Sequence, residues 1–130
     1  MTAREDVKAR IDRVEEAYEF FLAYEAQGLS GDRASKSGDQ LRGFLQGATD
    51  ALEGLSASVR QVVKEEALQP IDAWEDVVGV LERDAHAARA AVRLVAGQPS
   101  ISSQLVDNLN ANIHLRALLT DLFLVDETLG

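Results

Sequence analysis

Apolar residues in this 130-residue chain recur in alternating steps of four and three, and that spacing constrains the fold more than any other feature. In the first stretch they fall at Val7, Ile11, Val14, Tyr18 and Phe21. A second stretch runs through Leu41, Leu45, Ala48, Leu52, Leu55, Val59 and Val62, and a third through Ile71, Trp74, Val78, Leu81, Ala85, Ala88, Val92 and Val95. A repeat of about 3.5 residues puts the members of each set on one face of an α-helix and suits shallow left-handed packing between neighbours. A fourth stretch carries Leu105, Leu109, Ile113, Leu118, Leu122 and Val125, and no segment alternates as a strand would.

The punctuation between the stretches sets their limits. Thr2 with Glu5, Ser37 with Gln40 and Asp72 with Glu75 have the spacing of capping boxes. Gly28 opens a polar loop, Leu29 to Gly38; Pro70 suits a first helical turn; Gly97 and Pro99 stop what precedes them. These signals predict helices over about 3–28, 38–68, 70–97 and 102–128. Each is roughly 40 Å long at 1.5 Å per residue. Matched lengths with short connections predict one all-α domain over residues 1–130, an antiparallel up-down-up-down four-helix bundle with heptad-like packing. A chain of this size buries about two-thirds of its surface, enough for a core without staples. The joint from Glu66 to Asp72 lacks glycine, and the alternative there is one long kinked helix in a three-helix protein that dimerises to cover its stripes.

Three surfaces depart from what a solvated helix face carries. On helix 2, Gly43, Gly47 and Gly54 project together opposite the apolar stripe. Glycine costs roughly 0.5–1 kcal/mol relative to alanine in a helix interior, so this face reads either as a groove for a close-packed partner helix or as tolerated flexibility. On helix 1, Phe20 and Tyr24 lie off the stripe, covered either by Leu29 folding back or by another chain. Helix 4 changes face across Asn108 to Asn112, and beyond it Leu115 to Val125 is apolar nearly all round, with Leu124 opposite Leu122. That pattern predicts cover on two sides, most simply at an oligomer interface.

Composition removes most chemistries. There is no cysteine, hence no disulfide, thiolate metal site or cysteine nucleophile. A formal charge of −9 offers no footprint for nucleic acid or for an anionic membrane. No run is long enough to span a bilayer, and the charged stretch from Met1 to Arg13 is unlike a signal peptide, which points to the cytoplasm. Carboxylate-bridged dimetal bundles need Glu-x-x-His on two helices; here Glu82 and His86 are four apart and His114 has no such glutamate. Phosphate loops, nucleophile elbows and zinc-hydrolase pairs are missing as well, so no catalytic residue, metal ligand or cofactor is assigned.

One segment stands apart. His86 lies off its helix's apolar stripe, with Arg89 three residues on and small Ala90 four residues on. The run Ala85-His86-Ala87-Ala88-Arg89-Ala90-Ala91 resembles the phosphorylated-histidine segment of histidine phosphotransfer domains, which are small, often acidic four-helix bundles. It departs from that pattern at Ala88, Arg89 and Ala90, where the family has a bulky leucine, a lysine and commonly a glycine. The resemblance implies phosphotransfer through His86 with Arg89 beside the phosphoryl group, and the ordinary alternative is a surface histidine paired with Glu82. His114 reads as a boundary histidine and Trp74 as a core residue.

Three functions are therefore expected. The first is a non-enzymatic interaction protein that self-associates or serves as a small adaptor subunit, with Phe20, Tyr24, Gly43, Gly47, Gly54 and Leu124 as its surface. The second is histidine phosphotransfer through His86 and Arg89. The third is a bundle holding a small apolar ligand where Ala48, Ala85 and Ala88 leave room.

Overall fold

The structure, a computed structural model, describes residues 1–33 and 35–130; Ala34, inside the expected polar loop, lies outside the described residues. Among the described residues there are six α-helices and no strand: α1 (Ala3–Glu25), α2 (Lys36–Leu52), α3 (Leu55–Glu65), α4 (Ile71–Ala96), α5 (Ser103–Ala111) and α6 (Ile113–Leu129). Six replace the four expected because the predicted second and fourth helices are each interrupted.

The first interruption is at Glu53 and Gly54. Glu53 is extended and Gly54 takes the left-handed conformation, φ +75°, which ends the hydrogen-bond ladder of α2 and starts α3. Carbonyls left without helical partners at the end of α2 are taken up by α1, where Arg10 Nη1 donates to Ala51 O at 3.1 Å and to Glu53 O. Arg10 is held in turn by Asp6, which also accepts from Ser58 Oγ of α3 at 2.6 Å. The apolar stripe crosses the break without losing phase, since Leu52 and Leu55 are both buried.

The second interruption lies in the asparagine-rich segment where the helix 4 stripe rotates. Asn112 leaves the helical region at ψ 126°, and its side chain accepts from the N–H groups of His114 and Leu115 at 3.0 and 3.2 Å, capping α6. Breaking the helix lets α5 and α6 each turn its own apolar side inward, so Val106, Leu109, Leu115, Leu118 and Leu122 are all buried.

Two other boundaries differ from expectation, and the joint between the second and third expected helices turns as expected. α2 is capped by Ser35, which accepts from Gly38 N at 2.9 Å, while Ser37 Oγ accepts instead from Gln27 Nε2 of the α1 end. α4 begins at Ile71 with Pro70 before it and no side-chain cap, so Asp72 and Glu75 form no capping box. Between α3 and α4 the chain turns and does not run on as a kinked helix: Ala67 is left-handed at φ +50°, and Leu68 N donates back to Val63 O at 3.1 Å.

Cross-links fix the order of neighbours. α1 runs antiparallel to α2 and α3, from Gln27–Ser37 at one end to Arg4–Glu66 at the other. α4 runs back along them, with Arg89 Nε on Thr49 O and Arg42 on the carbonyls of Ala96 and Gln98. α6 lies between α4 and α1 and meets α1 through Lys8 and Asp126. Buried residues of all six helices join one cluster, including Ile11, Phe21, Leu41, Leu45, Val59, Leu81, Ala88, Leu118 and Leu122. At about 1.5–3 kcal/mol per large buried apolar side chain, this cluster is the main source of stability.

One end is closed by a polar clasp. Asp32 Oδ1 accepts from Ile101 N at 2.8 Å and Oδ2 from Arg42 Nε at 2.7 Å. Burial opposes ionisation of Asp32, but the Arg42 guanidinium and the Ile101 N–H outweigh it and hold the carboxyl below the usual range. Ser103 donates from Oγ to Tyr24 O at 2.7 Å and accepts from Leu29 N at 2.8 Å.

Candidate interaction surface

α4 carries a second stripe beside its buried one. Ala73, Val77, Val80, Asp84, Ala87, Ala91 and Leu94 also follow steps of four and three, and at 100° per residue they occupy the flank turned toward α6. The flank of α6 that faces them carries Ala117, Asp121, Leu124 and Thr128. Where the two helices meet near the start of α4, Pro70, Ala73, Trp74, Val77, Leu124 and Val125 line an open apolar notch of about 170 Å³.

The outward side of this pair is where the large apolar side chains reach solvent. Ile113 is 73% exposed, Leu94 69%, Leu124 61% and Phe123 55%, with Val80 also exposed. Single exposed apolar residues are ordinary; with Ile71 of α4 there are six on these two neighbouring helices, Leu22 of α1 and Met1 being the other exposed ones among the described residues. Within the α4–α6 contact a polar exception is Asp84 with Asp121, whose carboxyl groups face each other across the two helices. Burial, and then the Asp84 carboxylate, push the Asp121 carboxyl up to about 7.

The residues singled out by sequence fare differently. Leu124 stands on this surface, as its place opposite Leu122 implies. Tyr24 does not belong to any outer patch: it is fully buried, its Oη donates to Ile101 O at 2.7 Å, and burial raises its phenol above the ordinary value. Phe20 is half-buried and stacks on Phe44 of α2, ring centroids 4.4 Å apart, so α2 supplies cover expected from Leu29 or another chain. The three glycines do not form one helical face, since Gly54 is the left-handed residue between α2 and α3. Gly43 has open space where a Cβ would stand, while at Gly47 that position is 3.7 Å from the Arg13 guanidinium, so a side chain of α1 already lies over it.

His86 is exposed, but Arg89 is not a free cation beside it. Its Nε donates to Thr49 O at 3.2 Å and its Nη2 meets Glu53 at 3.3 Å, tying α4 to the end of α2. Glu82 faces Arg60 at 3.8 Å. His114 is exposed; Trp74 is buried and also walls the notch. Ala48, Ala85 and Ala88 are buried in the core where α2 packs on α4. Among the described residues no three His, Asp or Glu side chains are grouped to hold a metal ion, and no helix is long and apolar enough to cross a membrane.

Val80 and Leu94 are surface residues that the buried stripe of α4 does not include, Phe123 lies in the segment that reads as apolar nearly all round, and Ile113, expected on the apolar stripe, is exposed instead because the helix breaks at Asn112. The second four-and-three stripe of α4 was the available signal, masked by the stronger one beside it. Comparison of the chain with protein-family models, curated proteins and solved structures finds no match.

Proposed function

We propose that this chain is a non-enzymatic interaction protein, a single domain whose six helices act as four antiparallel rods in an up-down-up-down four-helix bundle. In this reading α2 with α3 is one rod, α5 with α6 another, and the protein associates with a second protein chain through the outer side of α4 and α6. The observation that carries the reading is the exposure of Leu94, Ile113, Phe123 and Leu124 on that side. Covering large apolar side chains is worth about 25 cal/mol per Å², and interfaces place such residues at their centres. Self-association is the simplest form, with the adaptor role its counterpart if the covering chain is a different protein. The formal charge of −9 supports a protein partner over nucleic acid or an anionic membrane, and the charged stretch from Met1 to Arg13 supports the cytoplasm.

Light scattering across a dilution series tests the reading, with Leu124→Glu and Ile113→Glu alongside the parent chain. A parent oligomer reduced to monomer by either substitution, at unchanged helicity, supports self-association. A parent monomer at every concentration overturns self-association and leaves the adaptor form, for which a captured partner must release when Leu124 becomes glutamate. The phosphotransfer reading is not preferred, because Arg89 is engaged by Thr49 and Glu53.

A further inference from the structure

We infer that Asp84 and Asp121 share one proton across the α4–α6 contact, and that this carboxyl pair is a pH-sensitive clasp holding α6 on α4. The geometry is the first argument. Carboxyls of α4 and α6 face each other within reach of one another, and a hydrogen bond between two carboxyl groups requires that one of them carry the proton. The second argument is an orphaned atom. Asp121 Oδ2 is buried and has no hydrogen-bond partner among the described residues. As an ionised oxygen it would be an uncompensated charge in a largely apolar contact; a shared proton reduces the pair to a single charge and supplies the missing donor.

No cation takes the proton's place. Of the helices packed on α6, α4 presents Asp84, and that carboxylate is the one charge acting on Asp121 among the described residues. α1 presents Arg4, Lys8 and Glu15 further on: Lys8 Nζ meets Asp126 Oδ1 at 2.6 Å and Arg4 Nη1 donates to Leu129 O at 2.8 Å. Glu15 is raised by burial and then by Asp126, Asp12 and Glu19. α5 contributes no charge acting on Asp121, and on α6 itself His114 and Arg116 lie exposed.

The direction follows from linkage. A carboxyl whose folded value is raised binds more protons in the folded chain than in the unfolded one, so the stability it adds is complete below the unfolded value, about 4, and is lost as pH rises from there to about 7. Above that point two carboxylates face each other and α6 is the element pushed away. The clasp is independent of whether another chain covers the outer face.

The test is a carboxyl-detected NMR titration of the full chain from acid to alkaline pH, read with melting curves. Asp121 should titrate near neutrality, and amides of α6 should lose exchange protection as it ionises. The melting temperature should fall by about 5 °C between about pH 4 and pH 7 and level off above, and Asp121→Asn, which keeps a donor without the charge, should abolish the fall. If Asp121→Asn fails to fold, Asp84→Asn is read in the same way and the titration of the parent chain decides. Independent ionisation of both carboxyls in the ordinary carboxylate range, or parallel melting profiles for parent and variant, overturns the clasp.

Discussion

Gly38 shows how one residue can be dictated from outside its own helix. A Cβ at this position would stand 1.8 Å from Asp32 O, a backbone atom that cannot yield without moving the Asp32 clasp. Gly38→Ala should therefore destabilise the chain by about 3 kcal/mol in urea unfolding, at the upper end of overpacking costs. Nothing local announces this, because Gly38 sits in a stretch where glycine passes for loop chemistry. Tyr24 teaches the same lesson from the opposite side. It is expected off the stripe of α1, but it is fully buried with Ala17 and Phe21, and the carbonyl of Ile101, 77 positions away, receives its hydroxyl.

At the scale of the element, the two glycines Gly43 and Gly54 separate a continuous helix from a broken one. Gly43 is inside α2 with open space beside it, so Gly43→Ala should stabilise by about 0.5–1 kcal/mol. Gly54 is left-handed, so Gly54→Ala should cost about 1–2 kcal/mol. In an unbroken helix over 38–68 both substitutions would stabilise, and thermal melts of the two variants distinguish the cases. The breaks at Gly54 and Asn112 were only partly legible. Asn108 to Asn112 carries a weak-helix signal and a rotating stripe, whereas the stripe through Gly54 keeps its period and gives no sign of interruption. What ends α2 there is a donor on α1, Arg10, which takes the terminal carbonyls.

For the whole molecule, charges set a window of stability. On the acid side, Asp6 is lowered by Ser58 and then Arg10, Glu66 by Arg4, and Asp32 by Arg42 and Ile101 against the opposing effect of burial. Groups held low contribute stability above their unfolded values, about 4, and lose it as pH falls through their folded ones. Asp121 and Glu15 work in the other sense, each losing stability as pH rises through its raised value, about 7 for Asp121. Calorimetry across pH should thus find a melting temperature highest at about pH 4 to 5, falling below it as the paired carboxylates are protonated and above it, up to about pH 7, as Asp121 ionises. The all-α class, most of the inward faces of α1 to α4 and the turns near Gly28, Pro70 and Gly97 were determined by the sequence alone, because helix period and backbone stops act over a few residues; at Ile113, read as part of a buried stripe, the period misled. The breaks at Gly54 and Asn112, the burial of Tyr24, the engagement of Arg89 and the meeting of Asp84 with Asp121 were decided by the tertiary structure. Each depends on a polar group or a packed face brought from another part of the chain, and a local period carries no information about which distant residue will satisfy it.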